Sequence, residues 1–386
     1  MRRTLSALSL IVLAAPASLL FAAGATVTVR NPLAIARASE TITLTAADVA
    51  KAVTTDDLRK VHVRDAAGRE VLAQAVDVND DGKFEELIFQ VDIGPKESKT
   101  FSLALGERPA YKRDDFKAYG RFVRERRDDF AWENDRVAHR MYGQELETWP
   151  QEPLTSSAVD VWTKRVSRLV VNDWYMIDDY HKDGETGGDF YSAGKSRGCG
   201  GNGLWIGGKL YASANFRNSR VYANGPIRVM FDLVYQAWDA AGAKVSEVKR
   251  ITLDAGQNFN RFESRYTFDG GPHDFTYAAG IKNNAGSTVA SSKERGTLRA
   301  WEPIKNVAGS LGCAVIVDPA QVVDFPQADG NYLVAAKVTA GAPAVYYAGF
   351  AWEETKQVPG GLDGWDRFVA ETAQKLRAPL EVSVQK

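Results

Sequence analysis

The chain has 386 residues, 45% hydrophobic, 25% charged and 10% aromatic, which places it among folded globular proteins and excludes disordered and fibrous classes. Lys+Arg 48 against Asp+Glu 49 gives a formal charge of −1, and loss of a leader bearing Arg2 and Arg3 takes it to −1 − 2 = −3. Nucleic acid is therefore excluded as a partner, because there is no basic excess to release counterions, and four His leave little room for a three-His metal centre.

Residues 1–25 begin Met1-Arg2-Arg3, continue as an apolar run from Leu5 to Ala22 and end in Ala23-Gly24-Ala25, a small-x-small cleavage pattern. This reads as a signal peptide and predicts export to the periplasm or the medium. No second long apolar run follows, so no membrane span is expected once the leader is removed.

From 26 to 108 short alternating runs predict a small antiparallel β domain: Thr26–Val29, Thr41–Leu44, Val61–Val63, Leu87–Val91 and Thr100–Leu103. Within it, Asp77, Asn79 and Asp81 put oxygen ligands at alternate positions before Gly82. Ile88 stands where an EF-hand needs its glutamate, which excludes that motif. A structural calcium ion and an Asx turn built on Gly82 are both compatible with the remainder, and no other cofactor is indicated.

The charge-rich stretch 110–129 reads as a linker, and the domain boundary is placed at 108/109. Residues 109–386 then form the large domain. The run Phe130–Gly143 holds Trp132, Glu133, Arg136, His139 and Arg140, a vocabulary suited to sugars: a flat aromatic for the ring, and planar charged groups for hydroxyls and carboxylates. As one strand it would present Trp132, Arg136 and Arg140 on one face, with Glu133 and His139 on the other. A buried ion-pair ladder is the competing account of the same residues.

The segment 172–205 is glycine-rich and aromatic-rich, the composition of a functional loop on a rigid β scaffold. His181, Tyr180 and Tyr191 are its proton-transfer candidates, with Glu185 as a carboxylate. Lys195 and Arg197 suit an anionic ligand, and Trp174 and Trp205 suit a sugar ring. Strands are predicted over Val229–Tyr235, Val245–Leu253, Asn260–Phe268, Phe275–Ile281, Ala314–Val317, Tyr332–Val338 and Ala344–Phe350, then a helix over Trp365–Leu376 and a last strand over Leu380–Val384. Long strands without interleaved helices predict a large antiparallel β-sandwich. Cys199 and Cys313 are compatible with a disulfide or with two separate core positions.

The Asp77–Glu86 turn, the Phe130–Gly143 stretch and the Asp178–Trp205 stretch resemble an exported bacterial family known as the domain of unknown function 4861 family, most specifically through Trp132-Glu133-Asn134-Asp135-Arg136. The resemblance covers nearly the whole mature chain. It implies a setting among proteins that break down pectin and other uronate-containing glycans, and a large domain similar to the supersandwich of galactose mutarotases and polysaccharide lyases. It assigns no catalytic residue.

The residues together predict an exported, mainly β protein acting on an acidic oligosaccharide as a lyase or a glycoside hydrolase. A noncatalytic sugar-binding protein and a mutarotase-like epimerase are the alternatives. Elimination would use Arg136, Arg140 or Arg197 to neutralise a uronate carboxylate, His181 or His139 as base, and Tyr180 or Tyr191 as acid. Hydrolysis would draw two carboxylates from a pool including Glu133 and Glu185.

Overall fold

In the computed structural model, residues 26–385 are described; the signal-peptide reading falls on residues 1–25, outside them. The chain is mainly β, and its named strands pair antiparallel in several sheets. In the small domain a five-stranded sheet runs in the order Glu381–Gln385, Thr26–Arg30, Ser98–Leu105, Val61–Asp65, Glu70–Val71. A three-stranded sheet of Arg37–Thr45, Glu86–Ile93 and Ala73–Val76 packs on it. Val27, Val29, Phe101 and Leu103 from the first sheet meet Ile42, Leu44, Leu87 and Phe89 from the second. The opposite face of the three-stranded sheet presents Val76 and Ile88 to Ala223, Ile227 and Met230 of the large domain. That second burial explains why Leu87, Ile88 and Phe89 are apolar without alternation.

The last strand, assigned from sequence to the large domain, pairs with Thr26–Arg30 instead. The chain thus returns to the small domain, and 108/109 is not the only crossing. An edge strand finds its missing backbone partners wherever an open edge lies, which chain position does not reveal.

The large domain is built on an eight-stranded sheet ordered Asn218–Asn224, Arg228–Ala240, Ala243–Asp254, Phe259–Phe268, Ala344–Trp352, Ser310–Ile316, Thr297–Pro303, Thr288–Ser292. A six-stranded sheet containing Cys199–Ile206, Phe275–Lys282 and Asn331–Val338 shares its core, with Phe231, Ile251 and Phe262 packing near Tyr277, Ala279 and Val334. Cys199 and Cys313 lie on these two different sheets as buried free thiols. A further five-stranded sheet is ordered Gly187–Gly188, Asp160–Lys164, Ala138–Met141, Asp129–Asn134, Ala118–Val123. It contributes Phe130 and Trp132 to the same core. The stretch read as a linker therefore contains a strand, Ala118–Val123, paired in register with Asp129–Asn134.

The Gly361–Arg377 helix lays Trp365, Val369 and Ala373 on the outer side of the eight-stranded sheet, against Phe259, Ala314 and Ile316. Trp365 fits because Gly312 has no side chain: a Cβ there would stand 2.5 Å from the indole ring. Gly312→Ala should therefore cost about 1–3 kcal/mol through overpacking. Chemical denaturation would show this as a lower midpoint at unchanged slope.

Candidate active site

Residues 130–142 form two strands rather than one. Asn134 turns the chain by accepting backbone N–H bonds from Arg136 (2.8 Å) and Val137 (2.9 Å), and Asp129–Asn134 then pairs with Ala138–Met141. Every residue of both strands is buried. Trp132 donates from its indole N–H to Asn260 (2.7 Å) and stacks on His139 at 5.1 Å. His139 is also held by Asn260 (2.9 Å), and burial pushes its imidazole down to about 3, so it stays neutral. Glu133 binds the Lys164 ammonium at 2.6 Å and accepts the backbone N–H groups of Val170 and Val171 at the start of the Val171–Ile177 helix. Arg136 donates to Asn258 (2.7 Å).

Several other residues singled out from sequence are likewise interior. Arg197 is 5% exposed and donates to Ser157 Oγ (2.9 Å). Tyr191 lies in the sandwich core, and Trp174 is buried with its indole N–H on Thr186 (2.9 Å). Burial removes Trp132, Glu133, His139, Tyr191, Arg197 and Trp174 from any surface a saccharide reaches; the polar atoms of Trp132, Glu133, Arg197 and Trp174 bind other parts of the fold, and Tyr191 packs by its ring. Glu185 and Lys195 are exposed and Trp205 is half-buried; none of the three lines the cleft described below.

At the acidic turn, Asp77 accepts the backbone N–H groups of Asn79, Asp80, Asp81 and Gly82, and Gly82 has φ +89°. Asp80 is paired with Arg220 of the large domain, so the turn has a structural task as a contact between domains. Carboxylate oxygens of Asp77, Asp81 and Glu85 lie within 4.8 Å of one another, which adds Glu85 to the oxygen donors available to a cation at this turn.

The sequence-predicted segments do converge at Arg140. Its guanidinium meets Asp160 at 2.6 Å, Asp189 at 2.9 Å and Asp129 at 3.7 Å, all four side chains being buried. Trp162 and Tyr180 stack at 4.7 Å beside this cluster, with Arg140 Cζ 4.9 Å from the Trp162 ring centre. His181 sits at its edge, 62% exposed at the side chain, with Nδ1 3.5 Å from Asp189 Oδ2. Asp189 is held well above the usual carboxylate range by burial and by the neighbouring Asp160 charge.

A cleft of about 580 Å³ opens in front of this cluster, lined by Arg124, Glu125, Arg126, Arg127, Trp149, Glu152, Tyr175, Asp178, Tyr180 and His181. Arg126 donates to the Tyr180 hydroxyl (2.8 Å) and to Glu152 (2.8 Å), and its guanidinium lies 4.4 Å from the Trp149 ring centre. Burial raises the Tyr180 phenol above its ordinary value even beside two guanidinium groups, so it keeps its proton at neutral pH. The cleft therefore combines arginines, an indole, a phenol that retains its proton and an imidazole backed by a carboxylate.

Arg124–Arg127 come from the stretch read as a linker, and Trp149, Glu152, Asp129 and Asp160 carried no signal in a single sequence. The one available hint was three arginines within Arg124–Arg127 just before an aromatic-rich run.

Residues 29–382 match the family model described as "Domain of unknown function (DUF4861)", so the chain belongs to that family. It is 33% identical over 375 residues to "Uncharacterized protein P7" of Formosa agariphila, covering 93% of each chain. The fold is similar to that of an alpha-mannosidase from Enterococcus faecalis V583, with TM-score 0.52 and 10% identity over 94% of this chain and 46% of that one. A protein in the Glycosyl Hydrolase Family 38 from Enterococcus faecalis is similar at TM-score 0.50 and 10% identity, over 94% of this chain and 47% of that chain. The chain thus spans less than half the length of these two structures, and at such identity the likeness concerns the fold.

Proposed function

We propose that this member of the DUF4861 family is an exported carbohydrate-active enzyme that takes an acidic, uronate-type saccharide in the Arg124–His181 cleft. The observation that carries this reading is the placement of His181, backed by Asp189, beside Tyr180 in a cleft walled by Arg124, Arg126 and Arg127. Elimination next to a uronate carboxylate needs these parts. The arginines offset the carboxylate charge and so acidify the neighbouring C–H; His181 takes that proton; the C–H electron pair becomes a C=C bond as the glycosidic C–O bond breaks. Tyr180 supplies the proton for the leaving oxygen. Its hydroxyl accepts from Arg126, which leaves its own O–H free to donate.

Two-carboxylate hydrolysis is less well served by the same cleft. Glu152 is tied to Arg126 and Glu125 to Arg121, which leaves Asp178 as the carboxylate of the cleft lining without a salt bridge among the described residues. The likeness to glycoside hydrolases in fold supports a carbohydrate ligand, while the arginines support its acidic character.

The test is to incubate the mature protein with uronate oligosaccharides and follow ultraviolet absorbance and product mass. The wild type should generate an unsaturated product, and His181→Ala and Tyr180→Phe should each slow it by roughly 10²–10⁴-fold. Arg127→Ala should chiefly raise KM. Saturated products would replace elimination by hydrolysis, and binding without product would remove the enzyme reading.

A further inference from the structure

Directly behind the cleft floor, Asp129, Asp160 and Asp189 share the single guanidinium of Arg140. With all three ionised the cluster would carry −3 + 1 = −2 in a buried setting, which is strongly unfavourable, so the cluster retains a proton. Hydrogen-bond donors decide where it resides, because they favour the ionised form of whichever carboxylate accepts them.

Asp160 is the best supplied. Its Oδ2 accepts from Arg140 Nε (3.1 Å), Arg140 Nη2 (2.6 Å) and the Trp162 indole (3.3 Å), and its Oδ1 from the Val161 N–H (3.1 Å). Asp189 has Arg140 Nη2 and the flanking His181, and because burial and the Asp160 charge raise its carboxyl as well, it too holds a proton more readily than Asp160. Among the described residues Asp129 has only the Tyr175 hydroxyl at 3.3 Å and the distant edge of Arg140, while its Oδ1, fully buried, has no partner there. Burial accordingly pushes the Asp129 carboxyl up to about 7. The other groups facing the cluster are Arg126, Tyr142, Tyr180 and Glu152, and Arg126 and Tyr175 connect it directly to the cleft wall.

We propose that Asp129 is a proton-linked specificity residue: with its proton it leaves the arginine wall to favour an anionic saccharide, and without it a negative charge under the floor weakens that ligand. The inference rests on reading the cleft as an anion site. It makes acidic pH the tight-binding condition and mildly alkaline pH the releasing one.

The experiment is calorimetric titration of oligogalacturonate, whose own carboxylates stay ionised throughout, into the full-length mature protein across this pH range. Wild-type affinity should fall roughly three- to tenfold between about pH 6 and pH 8, the scale of one buried charge acting across a partly screened distance. Asp129→Asn should hold the acid-side affinity at both ends, and His181→Gln should keep the decline. A flat wild-type profile, an unchanged slope in Asp129→Asn, or loss of the slope in His181→Gln would overturn the proposal while leaving the anion site standing. Absence of binding at every pH would instead overturn the anion-site reading and the switch that depends on it. Infrared difference spectra of the ligand-free wild type keep the matter decidable should Asp129→Asn fail to fold. A protonated-carboxyl band lost through about pH 7 that persists in Asp189→Asn supports the proposal, and its absence from both proteins or its loss with Asp189 overturns it.

Discussion

Arg140→Met should destabilise the protein by about 3–5 kcal/mol, the cost of leaving buried carboxylates without their cation. The side chain is 5% exposed and answers to Asp160, Asp189 and Asp129 together, so its loss leaves like charges facing one another in a dry site. Methionine fills much of the space and isolates the charge effect from a cavity effect. Arg140→Lys should recover only part of the loss, since one ammonium cannot reproduce a guanidinium that holds Asp160 through Nε and Nη2, reaches Asp189 through Nη2 and faces Asp129 with Nη1. Adding Asp189→Asn and Asp129→Asn to Arg140→Met should restore part of the stability, because two of the three carboxylates are neutralised while Asp160 stays buried without its cation. Denaturant midpoints at constant slope provide the measurement. A loss under 1 kcal/mol for Arg140→Met would mean that the carboxylates are neutralised by protonation alone.

The second large effect is a pH-dependent difference between wild type and Asp129→Asn. The folded carboxyl is raised to about 7, whereas in the unfolded chain it titrates near its ordinary value of 3.8. Between those values the folded state holds a proton that the unfolded state has released, so the Asp129 contribution to stability falls as pH rises through this window. Three units correspond to roughly 4 kcal/mol at most. The wild-type curve alone conceals this, because His139, lowered from 6.5 to about 3, acts in the opposite sense: there the unfolded state binds the extra proton, and stability rises with pH between about 3 and 6.5. Subtracting the two proteins' curves cancels the His139 term. The advantage of Asp129→Asn over wild type should grow from about pH 4 to pH 7 and then level off. A difference that stays constant with pH would show that Asp129 does not carry the proton.

The Phe130–Gly143 and Asp178–Trp205 stretches contain members of the Arg140 cluster and of the cleft in front of it, but their roles separate sharply. In Phe130–Gly143 the Trp, Glu, His and Arg suit either a sugar site or a buried ion-pair ladder, and in the fold they hold the sheet together. Alternation along a strand tells which residues share a face, not what covers that face, and here the 171–177 helix covers one side and the eight-stranded sheet the other. In the later segment His181 and Tyr180 do line the cleft, while Arg197 points inward to Ser157. Arg126 and Arg140 are chemically identical and lie 14 positions apart, yet one walls the cleft and the other is sealed behind it.

What the amino-acid sequence determined by itself is the local physics: period-two alternation sufficient for strands, turns where glycine accepts a left-handed backbone, an amphipathic helix over 365–376, and the concentration of aromatic and charged groups in two stretches. Those properties act over a few residues and are legible there. Only the tertiary structure decided which polar groups meet. Asp160 lies 20 residues from Arg140 and Asp189 lies 49 away, and the last strand pairs with the first described one across the whole chain. Burial depends on what packs above a residue, and the charge, proton and reach of a side chain depend on burial. The site was therefore set by which strands became neighbours.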